Sequence, residues 1–267
     1  MVLPLRHPIE VAEQASTLDA LSDGRFQLGV GQGYYVDEYK AFGIPHVQRP
    51  SRLQEGLEVI KGLWNNEEFG FDGKRYKFDP ISLRPKPTSD QLPIWVAALA
   101  PPAIDRAARF GCHLAGAGSP EAIQYYEERL NAYGHNVDDF HKATLRMVHL
   151  AESREQAWQN AAVHIHDILS TYLRKLDEAN VPPPPGGFFG FDPLPEPEKL
   201  MEANGLHFYG APMIVGTPED AIREIESSAA ASSVTHQIMW MQIGGMDPRL
   251  TEHSMRLFSE NVIPHFS

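Results

Sequence analysis

Short apolar segments with strand character alternate along this chain with longer segments of helical periodicity. Parallel strands need a crossover between them, and a helix is the usual crossover, so the alternation favours an α/β fold with parallel strands. The segments predicted as strands are 2–5, 26–30, 94–98, 113–115, 145–150 and 237–242, with 213–215 as a short further candidate. The segments predicted as helices are 8–21, 50–64, 101–110, 119–133, 153–175, 217–229 and 249–261.

The first predicted helix begins at Pro8, a residue that suits the first turn, and ends before Gly24. Its apolar residues recur at three-residue steps and are predicted to form one buried face. These residues are Ile9, Ala12, Ala15, Leu18 and Leu21.

The strand candidate 26–30 runs into two glycines, Gly31 and Gly33, which are followed by Tyr34 and Tyr35. Glycines at a strand end let a ligand approach the backbone, and a following helix offers N–H groups to an anion. The segment therefore indicates a cofactor phosphate or ring site at the carboxyl end of a parallel strand. It is not a Rossmann fingerprint, because Tyr34 stands where that motif needs glycine. A tight turn without a ligand is the alternative interpretation.

Residues 3–33, LPLRHPIEVAEQASTLDALSDGRFQLGVGQG, resemble the signature of the bacterial luciferase-like flavin-dependent monooxygenases. The resemblance covers almost the whole chain, because further motifs of that family follow in the same order. They are Glu38, Phe42-Gly43, Arg49-x-x-Arg52-x-x-Glu55, PIWVAA at 93–98, AARFG at 107–111, Tyr133-Gly134-His135, VGTPE at 215–219, and Leu257-Phe258 with Val262-Ile263-Pro264. So many motifs in one order are specific to the superfamily, whereas none of them specifies a substrate.

The resemblance implies a (β/α)8 TIM barrel in a single domain, residues 1–267. In the family, two β/α units precede the segment equivalent to 2–5, so we expect this chain to be incomplete at its N-terminus and to keep about six parallel strands. A histidine from the family's second strand and a cis peptide in its third strand then have no assignable equivalents. The catalytic residues are therefore left unknown.

Two segments are predicted as insertions into the barrel. The first, near 68–80, reads as a β-hairpin with Asp72-Gly73 at its turn. The second, near 181–212, is rich in proline and aromatic residues, and so long a loop in a compact domain is usually functional or disordered. The resemblance implies that this second insertion is a substrate lid over the mouth of the barrel.

The resemblance places Gly31, Gln32 and Gly33 at a flavin. Gln32 stands where luciferases have an arginine that helps to hold the flavin phosphate, so glutamine reduces a charge-assisted contact to an ordinary hydrogen bond. Gly31 replaces the reactive cysteine of light-emitting members, so we expect no light emission. Tyr34 and Tyr35 could line the flavin ring, although packing tyrosines are an equal alternative.

Further contacts to the cofactor are expected from α-helix starts and from the next strand ends. Of Arg49 and Arg52, one could reach the phosphate, and Arg49 is our candidate, while the other pairs with Glu55 one turn along the helix.

After strand 94–98, the segment Ala98-Leu99-Ala100 is expected to contact the phosphate through main-chain N–H groups at the helix that starts near 101–102. Gly116 ends another strand, and Ser119 after it is interpreted as a helix N-cap. The strand ends at 31–33, 98–99 and 116 are expected to converge at one end of the barrel.

Composition bounds the function. A net charge of −12 at pH 7 argues against nucleic acid and anionic membranes as partners. Cys112 is the only cysteine, which excludes an internal disulfide and fits a reducing cytoplasm; it is interpreted as a buried small apolar residue. No apolar run approaches the roughly 20 residues that span a bilayer, and no signal peptide is visible. A cytoplasmic protein is expected.

Twelve histidines do not predict a metal site. His164 and His166 are two residues apart on a predicted helix and face different directions, so they cannot share one ion. No serine stands in the Gly-x-Ser-x-Gly motif, so a nucleophile elbow is not indicated.

The resemblance implies a flavin-dependent monooxygenase that uses reduced FMN, supplied by a separate reductase, and O2 on a small hydrophobic substrate. A homodimer is expected. An F420-dependent hydride-transfer enzyme on the same scaffold is one alternative. A non-catalytic flavin-binding protein or partner subunit is the other, given Gln32 and the missing strands.

Overall fold

The computed structural model describes residues 1–88, 92–181, 188–203 and 205–267. The chain forms two compact units: residues 1–115 with 125–140, and residues 116–124 with 141–267. Within the described ranges, no helix is long and apolar enough to cross a membrane.

The first unit contains a parallel sheet of three strands, a hairpin and the helices around them. Its strands are β1 (Leu28–Gly31), β2 (Phe69–Asp72), β3 (Lys77–Ile81), β4 (Ile94–Ala97) and β5 (His113–Ala115). Its helices are α1 (Pro8–Leu21), α2 (Val36–Ala41), α3 (Arg49–Asn65) and α4 (Pro101–Arg109), and α5 (Pro120–Ala132) has residues in both units. β4 pairs in parallel with β1 and with β5.

The second unit is built on the nine-residue strand β6 (Lys142–Leu150). β10 (His236–Trp240) pairs in parallel with Ala143–Met147 of β6, and β9 (Ile214–Gly216) pairs in parallel with Val148–Leu150. The remaining elements are α6 (Arg154–Glu178), the two-residue strands β7 (His207–Phe208) and β8 (Ala211–Pro212), α7 (Pro218–Ala231) and α8 (Pro248–Leu257). Each unit thus supplies three parallel strands with intervening helices, so the α/β class with about six parallel strands is confirmed.

The identity of the six strands differs from the prediction at one point. The predicted strand 2–5 is wrong: only Val2 bridges to Gly31, and Leu3–Leu5 form a 3-10 turn. Pro4 explains this, because it has no N–H for a strand ladder and its fixed φ suits a turn. The short candidate at 213–215 is instead a strand, observed as β9.

The buried face of α1 also differs from the prediction. Leu18 and Leu21 are exposed, whereas Val11, Ala12 and Ala15 are buried with Ser16 and Asp19. Three-residue steps fall short of the 3.6-residue turn, so a run of such steps winds away from any single face.

The hairpin β2–β3 lies in the predicted insertion near 68–80 and is attached to α3 by one carboxylate. Glu55 is 9% exposed and accepts hydrogen bonds from the N–H groups of Lys74, Arg75 and Tyr76 at 3.2, 2.7 and 3.1 Å. The predicted ion pair between Arg52 and Glu55 is therefore wrong.

In the second insertion, residues 182–187 lie outside the described residues. The residues that follow pack against α6: Phe189, Leu206 and Phe208 form a buried cluster with Ile165 and Leu169. The rings of Phe189 and Phe208 are stacked, with centroids 5.7 Å apart. The role of 181–212 as a lid stays a prediction.

Candidate functional site

The sheet of the first unit has one closed face and one open face. Leu28 and Val30 of β1 and Ile94 and Val96 of β4 are buried, as is Leu114 of β5. The alternate residues point to the other face. The sheet register brings three of them into one row at the carboxyl ends of the strands: Gly31 is paired with Ala97, and Ala97 with Ala115.

We call Gly31, Ala97 and Ala115 the small-residue patch. Ala97 is exposed and the other two are half-buried, so this row is accessible. Two interstrand spacings of about 4.8 Å give it a length of about 10 Å, which suits the length of a fused three-ring system. Ala97 and Ala115 were missed from the sequence, although the alternation of β4 about the buried Val96 could have identified Ala97.

The two glycines at the carboxyl end of β1, Gly31 in its last position and Gly33 in the following loop, have different physical explanations. Gly33 has φ +66°, and a Cβ there would lie 2.7 Å from Val2 Cγ1, so the backbone itself requires glycine. At Gly31 a Cβ would lie 3.4 Å from the Cβ of Ala97, an ordinary contact, and no left-handed φ applies. The fold therefore does not require glycine at position 31.

The β1–α2 loop, residues 32–35, is held by two side chains from outside it. The Tyr39 hydroxyl donates to the carbonyl of Gln32. The Nε2–H of His46 donates to the carbonyl of Tyr34 at 3.1 Å. The rings of Tyr34 and Tyr35 meet edge to face, with centroids 4.6 Å apart. Tyr39 and His46 were not predicted as site residues from the sequence.

Arg49, the predicted phosphate ligand, uses part of its guanidinium group for hydrogen bonds to His46. One terminal nitrogen donates to Nδ1 of His46 at 3.1 Å and lies 3.3 Å from the His46 carbonyl, whereas the buried Nε has no partner among the described residues. Burial, and then the charge of Arg49, lower the pKa of His46 below its ordinary value. Arg52 donates to the carbonyl of Pro4 at 2.8 Å and lies over the ring of Tyr76.

The expectation of N–H donors at the start of α4 needs a correction. Pro101 and Pro102 have no N–H group, and the N–H of Ala103 already donates to the carbonyl of Ala100 at 2.9 Å. Within the described ranges, the N–H groups of Leu99 and Ala100 have no protein acceptor.

Ala98, Leu99 and Ala100 follow β4 at the same end of the sheet as Gly31, Gln32 and Gly33, since β1 and β4 run parallel. Ala98 itself is buried, and its N–H donates to the carbonyl of Ala115 at 3.1 Å.

Gly116 lies in the second unit, where its N–H donates to the carbonyl of Ala143 at 2.8 Å. Ser119 accepts a hydrogen bond from the N–H of Ala122 at 3.2 Å, which confirms it as a helix N-cap. The predicted contact between Gly116 and a cofactor stays a prediction.

The second unit contains a buried histidine at the end of β6. His149 is fully buried, its Nε2 accepts from the Asn160 side-chain amide at 3.3 Å, and its Nδ1 has no partner among the residues described. Burial, and then His253 and His164, lower its pKa to about 4. The imidazole is therefore neutral at pH 7.

The described part of the chain contains no group of three or more His, Cys, Asp or Glu residues that could hold a metal ion. Cys112 is 1% exposed, which confirms it as a buried small residue, and burial raises the pKa of its thiol to about 11.

Comparison with known proteins decides the family. The model of the family described as luciferase-like monooxygenase matches residues 1–236. The chain belongs to the luciferase-like monooxygenase family. The resemblance noted in the sequence is thereby confirmed.

The curated relatives of this luciferase-like chain include one that matches part of the chain at higher identity and one that matches all of it at lower identity. An uncharacterized protein of Mycobacterium tuberculosis is 36% identical over 121 residues, which are 45% of this chain and 42% of the relative. The match therefore spans less than half of that relative's length. The oxygenase component of flavin-dependent trigonelline monooxygenase from Acinetobacter baylyi is 24% identical over 283 residues, 100% of this chain and 75% of the relative.

Solved structures show the same fold. The monooxygenase RslO1 from Streptomyces bottropensis has a TM-score of 0.79 at 22% identity, covering 99% of this chain and 76% of its own. The oxygenating constituent of 3,6-diketocamphane monooxygenase from Pseudomonas putida, in complex with FMN, has 0.73 at 19%, covering 98% and 77%. An F420-dependent secondary alcohol dehydrogenase has 0.69 at 22%, covering 98% and 76%. The luciferase-like chain thus has a fold of the TIM-barrel type.

Proposed function

We propose that this luciferase-like chain is an FMN-dependent monooxygenase that acts on a small hydrophobic organic substrate and emits no light. Its family membership supports the enzyme class, and a trigonelline monooxygenase component and a diketocamphane monooxygenase with FMN are among its relatives and structural neighbours. The proposal includes a separate reductase as partner, a homodimer, a cytoplasmic location and a single functional domain.

The observation that carries the proposal is the glycine at position 31. Neither φ nor a steric contact with another of the described residues requires it, yet it keeps the small-residue patch flat at the carboxyl end of three parallel strands. Active sites of barrels occupy that end of the strands. A planar ring system resting on Gly31, Ala97 and Ala115 explains why all three side chains are small.

The polar groups around the patch suit the rest of such a cofactor. The N–H groups of Gly33, Leu99 and Ala100 and the Nε of Arg49 are donors without a protein acceptor in the described ranges. We assign them, with the Gln32 amide, to the phosphate and ribityl oxygens, and Tyr34 and Tyr35 to the edge of the ring. Hydrogen bonds from N–H groups to an anionic phosphate are the strong, charge-assisted kind.

The chemistry of the cofactor determines which roles fall to the flavin and which to the residues of the chain. A bound reduced flavin supplies the electrons that activate O2. The residues of this chain bind it, orient its ring on the small-residue patch and exclude water from the site. We propose that the segment 181–212 contributes to that exclusion as a lid.

An F420-dependent hydride-transfer enzyme is the second candidate, because an F420-dependent dehydrogenase has the same fold over 98% of this chain. The neutral Gln32 also lacks the charge that would favour a terminal FMN phosphate.

Titration of the purified protein with oxidised FMN and with F420 separates the candidates. FMN should bind more tightly, and NADH-dependent O2 uptake with an added flavin reductase should rise above the reductase-only rate when candidate hydrophobic substrates are supplied. Tighter binding of F420 would favour hydride transfer. FMN binding without any substrate-dependent O2 uptake would support the non-catalytic alternative, and binding of neither cofactor would refute both enzyme proposals.

A further inference from the structure

The β1–α2 loop carries four of the proposed cofactor contacts, Gln32 to Tyr35, yet it has no regular secondary structure. Helices and strands orient their peptide groups through a repeating ladder, whereas a loop needs other partners to do so. In this loop two alternate carbonyls, those of Gln32 and Tyr34, are bonded by the side chains of Tyr39 and His46.

Those two hydrogen bonds also set the direction of two N–H groups. A trans peptide is planar, so its C=O and N–H point in opposite directions. The peptide between Gln32 and Gly33 directs its carbonyl at Tyr39, and its N–H therefore points away from Tyr39. By the same argument, the N–H of Tyr35 points away from His46.

The hydrogen bond between Arg49 and the His46 ring determines the tautomer of His46. Arg49 can only donate, so Nδ1 of His46 accepts from it at 3.1 Å and Nε2 carries the hydrogen. That hydrogen is the one given to the carbonyl of Tyr34. Arg49 and His46 thus form one directed chain of hydrogen bonds that ends on the loop.

The environment of Tyr39 favours a lasting hydrogen bond from its hydroxyl to the carbonyl of Gln32. It is fully buried, its ring lies edge-on to His46 with centroids 5.2 Å apart, and burial raises the pKa of its phenol above the ordinary value. The hydroxyl therefore remains a donor at any physiological pH.

We propose that Tyr39, His46 and Arg49 are positioning residues that preset the β1–α2 loop for the cofactor, so that the loop backbone, and the N–H group of Gly33 in particular, is oriented before it binds. This inference rests on the proposed cofactor site. Preorganised donors cost no reordering of the loop on binding, which increases affinity.

The test compares Tyr39→Phe with Tyr126→Phe. Tyr126 is an equally buried tyrosine in the same unit, and its hydroxyl donates to the backbone carbonyl of Cys112 at 2.6 Å, away from the loop. Both variants lose one buried hydroxyl and keep the ring, so both should lose similar stability. Only Tyr39→Phe should weaken FMN binding, by roughly two- to tenfold, the equivalent of one net hydrogen bond.

Hydrogen exchange in the cofactor-free protein gives a second readout. Amides of residues 32–36 should exchange faster in Tyr39→Phe than in the wild-type protein. Their exchange rates should be unchanged in Tyr126→Phe. His46→Ala should reproduce the affinity loss, and His46→Gln should restore most of the affinity, because its amide can donate to the Tyr34 carbonyl. If Tyr39→Phe does not fold, the comparison of His46→Ala with His46→Gln still tests the proposal.

Three results would overturn the inference while leaving the proposed function intact: unchanged FMN affinity in Tyr39→Phe, an equal loss in both tyrosine variants, or no rescue by His46→Gln. A wild-type chain that binds neither FMN nor F420 overturns the proposed function, and this inference with it.

Discussion

Replacing Gly31 by valine tests the cofactor assignment, because the fold does not require glycine at this position. The new Cβ would lie 3.4 Å from the Cβ of Ala97, an ordinary contact, and valine is a favourable residue in a strand. The far-UV circular dichroism and the unfolding midpoint should therefore stay the same or rise slightly.

The effect on the cofactor should be large. The branched side chain occupies the surface of the small-residue patch, where the ring is proposed to lie. Inserting methyl groups into a packed contact costs about 1–3 kcal/mol, so FMN should bind roughly 5- to 150-fold more weakly. Quenching of flavin fluorescence during titration measures this directly.

Two other glycine variants serve as controls. Gly29→Val makes the same substitution in the same strand and on the same face, about 7 Å from the patch, where no atom of the described residues lies within 4 Å of the new Cβ. It should affect FMN less than Gly31→Val does. Gly33→Ala should instead lower stability, because φ is +66° and Val2 is in the way. Unaltered FMN and F420 affinities in Gly31→Val would mean that this glycine belongs only to a turn.

Three further predictions concern single residues. Gln32→Arg adds a charged donor and should tighten FMN by about 1.5 kcal/mol, roughly tenfold, and F420 less; equal effects on both cofactors in the same fluorescence titrations would contradict the phosphate assignment. Glu55→Gln replaces one of the two carboxylate oxygens by an NH2 group that cannot accept, so at least one of the N–H groups of residues 74–76 loses its acceptor, which should lower the free energy of unfolding by about 1–3 kcal/mol in urea, whereas the exposed Glu13→Gln should have little effect. Because the pKa of His149 is lowered from 6.5 to about 4, the unfolded chain binds more protons between these values. The free energy of unfolding should therefore fall by about 3 kcal/mol as pH drops from 6.5 towards 4, and His149→Phe should abolish that part of the slope.

Local patterns in the sequence were sufficient for most of the helices and strands and for the family. The predicted helices 50–64, 101–110 and 217–229 correspond to Arg49–Asn65, Pro101–Arg109 and Pro218–Ala231, because periodicity, proline starts and N-caps act over a few residues. Gly31 and Gly33 also marked the correct strand end, since β1 ends at Gly31. The order of motifs identified the luciferase-like family, which the family model then confirmed.

Partners that lie far apart in the sequence could not be predicted in the same way. The helical spacing of Arg52 and Glu55 suggests an ion pair, but Arg52 bonds the carbonyl of Pro4 and Glu55 bonds the hairpin turn at 74–76. Three backbone N–H groups converging on one carboxylate compete successfully with a single surface pair, whose stabilisation is small.

By itself, the sequence determined that glycine-ended parallel strands alternate with helices and that Gly31 and Gln32 stand at a strand end. Only the tertiary structure decided that Ala97 and Ala115 join Gly31 in one row and that Tyr39 and His46 hold the adjoining loop. The reason is that side-chain periodicity depends on neighbours a few residues away. Strand register and hydrogen bonds to loop carbonyls instead depend on how separate segments pack together.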